Sequence, residues 1–383
     1  MTTVIYGGSF NPPHLGHVSA AQSVYEALRL DRFLIIPTNI APHKAAAAGS
    51  PDAAARLQMC RLAFAGIPGA EVSPMEMERE GKSYTADTIS ILREKYPEDE
   101  LYLVVGTDMF LSFREWHEYK YLLDNCTLAV LSRETDDRGE ILSFKRSLEN
   151  EDGARIRLIE HEPLPMSSAE IRAMLPKAGG AELLDDGVYS LIIKNRWYAA
   201  KPELRWLREK VRPYLTEKRA RHVAGCEEQA VKLARRWGAD VYEAAEAGIL
   251  HDITKKLSDE EQLIMCDKYG IILDAAERRN PRILHARTGA ALARELFGIP
   301  DGIYSAIRWH TTGKPDMSLM EKIIYLADFT EPTRDFKGVE PLRKLCFEDI
   351  DRAMELGLRM SLEEIRSRGE DAYKDTVGAY QWY

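Results

Sequence analysis

The chain has 383 residues, more than one hydrophobic core ordinarily organises, so at least two domains are expected. With 45% hydrophobic and 30% charged residues and a net charge of −9, it is unlike disordered, collagen-like or membrane-spanning chains, and neither nucleic acid nor an anionic membrane is expected as partner. Its five cysteines are scattered and odd in number, suggesting neither a disulfide framework nor a cysteine zinc site. Together with an amino terminus free of a basic leader, this gives the expectation of a soluble, cytoplasmic protein.

From Thr2 to about Trp197, short apolar runs rich in β-branched residues alternate with helical patterns, as in a parallel sheet with crossover helices. Strands are predicted at 4–6, 33–36, 101–105, 128–131 and 156–159. Between the first two, Val18, Ala21, Val24, Tyr25 and Leu28 recur at helical spacing, which completes a βαβ unit. Residues 45–51, four alanines and Gly49-Ser50-Pro51, read as a flexible loop and a candidate lid. After residues 199–203 strand-like runs stop and helical periodicity continues almost to Tyr383. The predicted organisation is an α/β domain over 1–198, a linker over 199–203 and an all-α domain over 204–383.

The first strand runs into Gly7-Gly8-Ser9-Phe10-Asn11-Pro12-Pro13-His14-Leu15-Gly16-His17. Glycines let a backbone approach phosphate closely, and the helix that follows offers free N–H groups at its positive end. His14 and His17, three apart, project from one face of its first turn and aim two donors at one anion. Ser167-Ser168-Ala169-Glu170-Ile171-Arg172 places two hydroxyls at a helix start and an arginine one turn on, a second phosphate cradle. Lys44 follows the second strand, Thr85 opens another helix, Gly106-Thr107-Asp108 closes the strand at 101–105, and Trp116 comes next.

Together these strings resemble the nucleotidyltransferase signature on a Rossmann-like sheet, and within it the nicotinate-nucleotide adenylyltransferases, over residues 1 to about 198. The resemblance departs at Ala169, where a threonine is usual, which implies one weakened hydroxyl contact. It implies adenylyl transfer from ATP with Mg²⁺ to nicotinate mononucleotide. His14, His17, Lys44 and Arg172 would hold the triphosphate, with Gly8, Ser9, Phe10, Ser167 and Ser168 around it. Gly106, Asp108, Thr85 and Trp116 would form the acceptor pocket: helix-start N–H groups suit the nicotinate carboxylate, and the indole face suits the pyridinium.

In the second half all four histidines, His222, His251, His285 and His310, join two aspartates in one pattern: a histidine, the pair His251-Asp252, and distant Asp328. Imidazoles and carboxylates together suit a borderline divalent ion. The pattern resembles the HD-domain metal-dependent phosphohydrolases and, with the text around each ligand, the symmetrical bis(5′-nucleosyl)-tetraphosphatases. That resemblance implies two divalent ions, expected to be iron, held by His222, His251, Asp252, His285, His310 and Asp328, with Asp252 bridging. It also implies hydrolysis of a dinucleoside polyphosphate, diadenosine tetraphosphate giving two ADP, with Lys255, Thr311, Lys314 and Arg334 toward the phosphates and Asp252 catalytic. Two alternatives stay open: a phosphopantetheine-type acceptor in the first half, and a metal-bound nucleotide-sensing module in the second. A homo-oligomer is compatible with either.

Overall fold

A computed structural model describes residues 1–40, 49–79, 81–132 and 138–383, except the side chains of 138, 276 and 279. Lys44 and most of the 45–51 loop lie outside the described residues. The chain divides into two compact units, Met1–Lys201 and Pro202–Tyr383.

The first unit is built on six strands, β1 Thr2–Gly8, β2 Arg32–Pro37, β3 Ala70–Val72, β4 Glu100–Gly106, β5 Thr127–Ser132 and β6 Arg155–Glu160. Every pairing is parallel and the order is β3-β2-β1-β4-β5-β6, the doubly wound arrangement. Helices α1 Leu15–Ala27, α2 Ala53–Ala63, α3 Thr85–Lys95, α4 Thr107–Leu111, α5 Tyr119–Asn125, α6 Arg138–Asp152, α7 Ser168–Met174 and α8 Asp186–Asn195 alternate with the strands or follow them. The central strands bury nearly every side chain, Phe33 to Ile36 and Leu128 to Val130 among them, because helices cover both faces of a parallel sheet. The five predicted runs all form strands, and β3 is an addition. Its three residues are half-buried or exposed and lie on the sheet's edge, so no apolar run announces it.

Register explains where this sheet opens. β1 pairs with β2 along its whole length, as far as Gly8 opposite Pro37, but with β4 only as far as Ile5 opposite Leu103. Beyond that point the two central strands part at their carboxyl ends, and this is the place where the direction of winding reverses. Ligands of open α/β sheets bind at such a switch point.

The second unit is helical throughout its described residues: α9 Leu204–Val211, α10 Glu217–Trp237, α11 Val241–Leu250, α12 Asp259–Lys268, α13 Ala275–Arg279, α14 Leu284–Phe297, α15 Asp301–Trp309, α16 Leu319–Thr330, α17 Val339–Glu348, α18 Ile350–Ser367 and α19 Lys374–Trp382. Local chemistry fixes the ends of the long α10. Thr216 Oγ1 accepts from the Arg219 amide at 3.2 Å, Glu217 faces the positive terminus, and Gly238 closes the helix at φ 73°. Its apolar face meets α11 and α16. Gly248 of α11 permits the close crossing, since a Cβ there would stand 2.8 Å from the Glu227 Cα.

Candidate active sites

At the parted ends of β1 and β4 lies a cleft of about 470 Å³, lined by Gly7, Gly8, Ser9, His17, Thr85 and Trp116 among others. The glycines do different things. Around Gly7 a Cβ would meet nothing within 4 Å, so this backbone is open to a ligand, whereas at Gly8 it would stand 2.9 Å from the Phe10 ring. Phe10 is buried, at φ 42°, packed edge-on against the rings of Tyr6, His17 and Phe64; it shapes the loop from beneath.

His17 Nδ1 accepts from the backbone N–H of His14 at 3.2 Å, which places the ring's proton on Nε2. Burial, together with the adjacent His14 imidazole, holds the His17 pKa down at about 3, so at neutral pH it is an uncharged Nε2–H donor. His14 is buried behind it, the two rings 3.7 Å apart, and burial lowers its pKa to about 4. His14 lies back from the cleft lining, and its Nδ1 has no hydrogen-bond partner among the described residues. Gly16 gives the His14 ring its place, because a Cβ at Gly16 would stand 3.0 Å from that ring.

The second cradle grips the loop that bears the first. Ser168 Oγ donates to the Pro12 carbonyl at 2.8 Å, and Arg172 Nη1 to the Asn11 carbonyl at 2.6 Å. Ser167 caps α7 by accepting from the Glu170 amide at 3.2 Å. Three residues without a role in the sequence reading complete the clamp. Arg56, buried, donates to the carbonyls of Ser9, Thr38 and Asn39 at 3.0, 2.7 and 3.0 Å; Tyr198 Oη donates to Asn11 Oδ1 at 2.6 Å; and Asn11 Nδ2 donates to Ser50 Oγ at 2.8 Å. Such long-range side-chain contacts have no sequence signature.

On the acceptor side, Thr85 is the first residue of α3, whose N-cap Tyr84 makes no side-chain cap, and the Tyr84 ring stacks on His117 at 4.3 Å. Trp116 is half-buried and packs against Phe113, ring centroids 5.0 Å apart and planes tilted by 30°. Gly106 and Asp108 are exposed at the start of α4 and do not line the cleft.

In the second unit the six histidine and aspartate positions converge, although they come from α10, the end of α11, α14, the end of α15 and α16. His222 Nε2 is 3.3 Å from His251 Nε2, 3.0 Å from Asp328 Oδ1 and 3.5 Å from Asp252 Oδ2. On the other side, His285 Nε2 and His310 Nε2 are 3.3 and 3.7 Å from Asp252 Oδ1. One carboxylate thus stands between two imidazole pairs and gives an oxygen to each.

Backbone geometry sets the tautomers. The Nδ1 atoms of His251, His285 and His310 each donate to the carbonyl three residues earlier, Gly248, Arg282 and Ile307, at 2.8, 2.7 and 2.7 Å. Each ring is thereby left with an Nε2 lone pair facing inward. His222 Nδ1 instead donates to Glu331 Oε1 at 3.1 Å. Glu331 is fully buried, accepts from the Thr333 amide and hydroxyl at 2.6 and 2.5 Å, and owes its room to Gly225, where a Cβ would stand 2.4 Å from Glu331 Oε2.

Burial alone would raise the Asp252 carboxyl, but the surrounding imidazoles outweigh it and hold the pKa well below the usual range; for Asp328, His222 and Arg334 do the same. Arg219 pairs with Asp252 at 2.7 Å and Arg334 with Asp328 at 2.6 Å. Among the described residues His310 Nε2 is buried without a hydrogen-bond partner, and two triads, His222–His251–Asp328 and His251–Asp252–His310, bring their ligand atoms within 4.8 Å. Imidazole lone pairs and ionised carboxylates facing one another, with one nitrogen orphaned, fit divalent cations. The cluster opens into a cleft of about 710 Å³ lined by Lys255, Thr311, Arg334 and the rings of Phe329, Phe336 and Tyr373. Lys314 lies off that lining, its Nζ 3.2 Å from Glu321.

Two family models match the chain, Cytidylyltransferase-like over residues 5–174 and HD domain over residues 219–333. A probable nicotinate-nucleotide adenylyltransferase from Gemmatimonas aurantiaca is 40% identical over 170 residues, covering 44% of this chain and 78% of its own. A symmetrical bis(5′-nucleosyl)-tetraphosphatase from Bacillus subtilis is 38% identical over 176 residues, covering 45% of this chain and 92% of its own. Among solved structures, a predicted HD superfamily hydrolase involved in NAD metabolism from Clostridium acetobutylicum is 37% identical, covering 45% of this chain and 95% of that one, with a TM-score of 0.44. No helix among the described residues is long and apolar enough to cross a membrane. The chain is therefore an enzyme fusion that belongs to two families, its first half to the nicotinate-nucleotide adenylyltransferases and its second to the HD-domain symmetrical bis(5′-nucleosyl)-tetraphosphatases.

Proposed function

We propose that one polypeptide carries two activities: adenylyl transfer from ATP to nicotinate mononucleotide, giving deamido-NAD and pyrophosphate, and hydrolysis of diadenosine tetraphosphate to two ADP. In the transfer, a 5′-phosphate oxygen of the mononucleotide attacks the ATP α-phosphorus, the bond to the bridging oxygen of the β-phosphate breaks, and the electron pair leaves with pyrophosphate. No protein nucleophile is required, so the chain's task is positioning and charge stabilisation. His17 Nε2–H is the donor aimed at the phosphates, and its neutral state makes its binding of them independent of pH through the physiological range. Ser168 and Arg172 support that donor by holding the Asn11–Pro12 carbonyls, and Lys44 is assigned to the triphosphate by resemblance. Mg²⁺ bound with ATP would supply charge to the departing pyrophosphate. The acceptor reading rests on Trp116 facing the cleft beside the uncapped start of α3.

For the hydrolysis, water adds at one of the two central phosphorus atoms and the central phosphoanhydride P–O bond breaks, the water proton balancing the new phosphate oxygens. The observation that carries this reading is Asp252, one oxygen toward each imidazole pair. His222, His251 and Asp328 would hold one divalent ion, His285 and His310 a second, with Asp252 shared; iron is the expected metal. Such ions, when bound, supply positive charge to a phosphoanhydride and acidify water. Lys255, Thr311 and Arg334 line the same cleft and would hold the polyphosphate, and the buried Thr311 hydroxyl has no hydrogen-bond partner among the described residues.

The testing experiment gives the purified chain ATP with nicotinate mononucleotide, and separately a panel of dinucleoside polyphosphates, alongside its metal content. Deamido-NAD plus pyrophosphate, ADP as the product of the tetraphosphate, and about two metals per chain are expected. Phosphopantetheine as the preferred acceptor would overturn the first assignment, and bound metal without turnover of any dinucleotide would replace the second by a sensing module.

A further inference from the structure

The acceptor cleft contains a buried carboxylate that the reaction above does not use. Glu76, only 6% exposed, lines the cleft from the segment after β3. Thr88 Oγ1 donates to Glu76 Oε1 at 2.8 Å and accepts from Arg79 Nη2 at 2.9 Å. Ser83, which lines the same cleft, begins the turn that leads into α3. Ser83 Oγ in turn accepts from the Asn39 amide at 3.3 Å, the Ser83 amide donates to the Ile40 carbonyl at 3.0 Å, and Asn39 Nδ2 donates to the Arg79 carbonyl at 3.2 Å.

The place of these contacts is what matters. Thr88 lies one turn into α3, so Glu76 fastens the first turn of the helix whose start carries the N–H groups of Thr85 to Asp87. These N–H groups have no side-chain cap from Tyr84. An anion seated there benefits from fixed donors only if the turn is held still. A buried carboxylate beside an anion site would ordinarily repel its ligand. Here Arg79 offsets that charge, lying 4.0 Å from Asp87 and bonded to Thr88.

We propose that Glu76, bonded to Thr88, is a positioning residue that sets acceptor affinity by fixing the start of α3, and that it leaves ATP binding alone. This rests on the adenylyltransferase reading of the first unit. The test measures KM for nicotinate mononucleotide and for ATP in the full-length chain carrying Glu76→Ala, Thr88→Val or Glu76→Gln. Glu76→Ala and Thr88→Val should each raise the mononucleotide KM about tenfold or more, as expected for losing one hydrogen bond to a charged group, and change the ATP KM less than about twofold. Glu76→Gln keeps an acceptor for Thr88 and should recover most of the affinity. If Glu76→Ala does not fold, Thr88→Val, which keeps the side-chain shape, carries the same comparison. Equal rises for both substrates, or an unchanged mononucleotide KM, would overturn this role. If the unsubstituted chain makes no deamido-NAD, the adenylyltransferase reading fails instead, so the two failures are distinguishable.

Discussion

On the proposed function, the two sites would handle polyphosphate in opposite ways. In the first unit the phosphate-facing surface is largely backbone: an open Gly7, a helix start, and one neutral imidazole whose tautomer is set by the His14 amide. In the second unit it is side chain: four imidazoles and two carboxylates from five helical segments, held in register by carbonyls and by Glu331. A backbone site depends on the shape of its loop, and so on remote residues such as Arg56 and Tyr198 that grip it. A side-chain site depends on donor identity, and its supports need only orient each ring.

The sharpest way to break this contrast is to remove one donor from the second unit. His251→Ala or Asp252→Ala should reduce bound metal to near zero and lower tetraphosphate hydrolysis by more than about 100-fold, since losing even an outer-shell partner typically costs 10–100-fold. His310→Ala should leave about one metal per chain. Atomic absorption on the purified variants decides it. A wild-type metal count in His310→Ala would make that histidine a packing residue and remove the dinuclear reading.

A smaller effect is expected one layer out. Gly225→Ala forces a Cβ to within 2.4 Å of Glu331 Oε2, so it should displace that carboxylate and free His222 Nδ1. We expect it to match Glu331→Gln, with metal affinity down about 10–100-fold and adenylyl transfer unchanged. Metal titration of both variants tests the equivalence; an unaltered affinity would mean that Glu331 does not orient His222.

The smallest effect concerns protons in the first unit. Ordinary imidazole titrates near 6.5, whereas His14 and His17 are held at about 4 and about 3. The unfolded chain therefore binds more protons as pH falls. The stabilisation these residues contribute is fully present above about 6.5 and is lost progressively as pH falls toward 4 and 3. Thermal melts of the full chain from pH 7 to pH 4 should show a falling Tm for the first unit, roughly 2–4 °C per kcal/mol lost in a domain of this size, and His14→Ala should flatten that fall. An identical slope in the variant would show that His14 is not the titrating group.

How much of this was legible in the sequence follows the same contrast. Four histidines in a helical half, one of them in the pair His251-Asp252, form a pattern that the resemblance to HD-domain phosphohydrolases turns into a candidate ligand set. Glu331 has no mark in the sequence, because its contact with His222 depends on the space left by Gly225, which is a tertiary fact. In the first half, the apolar runs of β1, β2, β4 and β5 are continuous because these parallel strands are largely buried, and the edge strand β6 shows as alternating apolar and charged residues, while β3 is too short and exposed to show. The glycine loop was legible as a motif, but not the division of labour in which Gly7 stays open and Gly8 accommodates Phe10. Ser168 and Arg172 were read as phosphate ligands; the structure uses both to grip the loop's carbonyls.

On the proposed function one chain carries two active sites, one in each compact unit. The most direct test measures both activities in the full-length protein with His17→Ala and, separately, with His251→Ala. We expect His17→Ala to lose about 100-fold or more in deamido-NAD synthesis, as for removal of a transition-state donor, with tetraphosphate hydrolysis unchanged. His251→Ala should do the reverse. Loss of both activities from either single substitution would contradict the account.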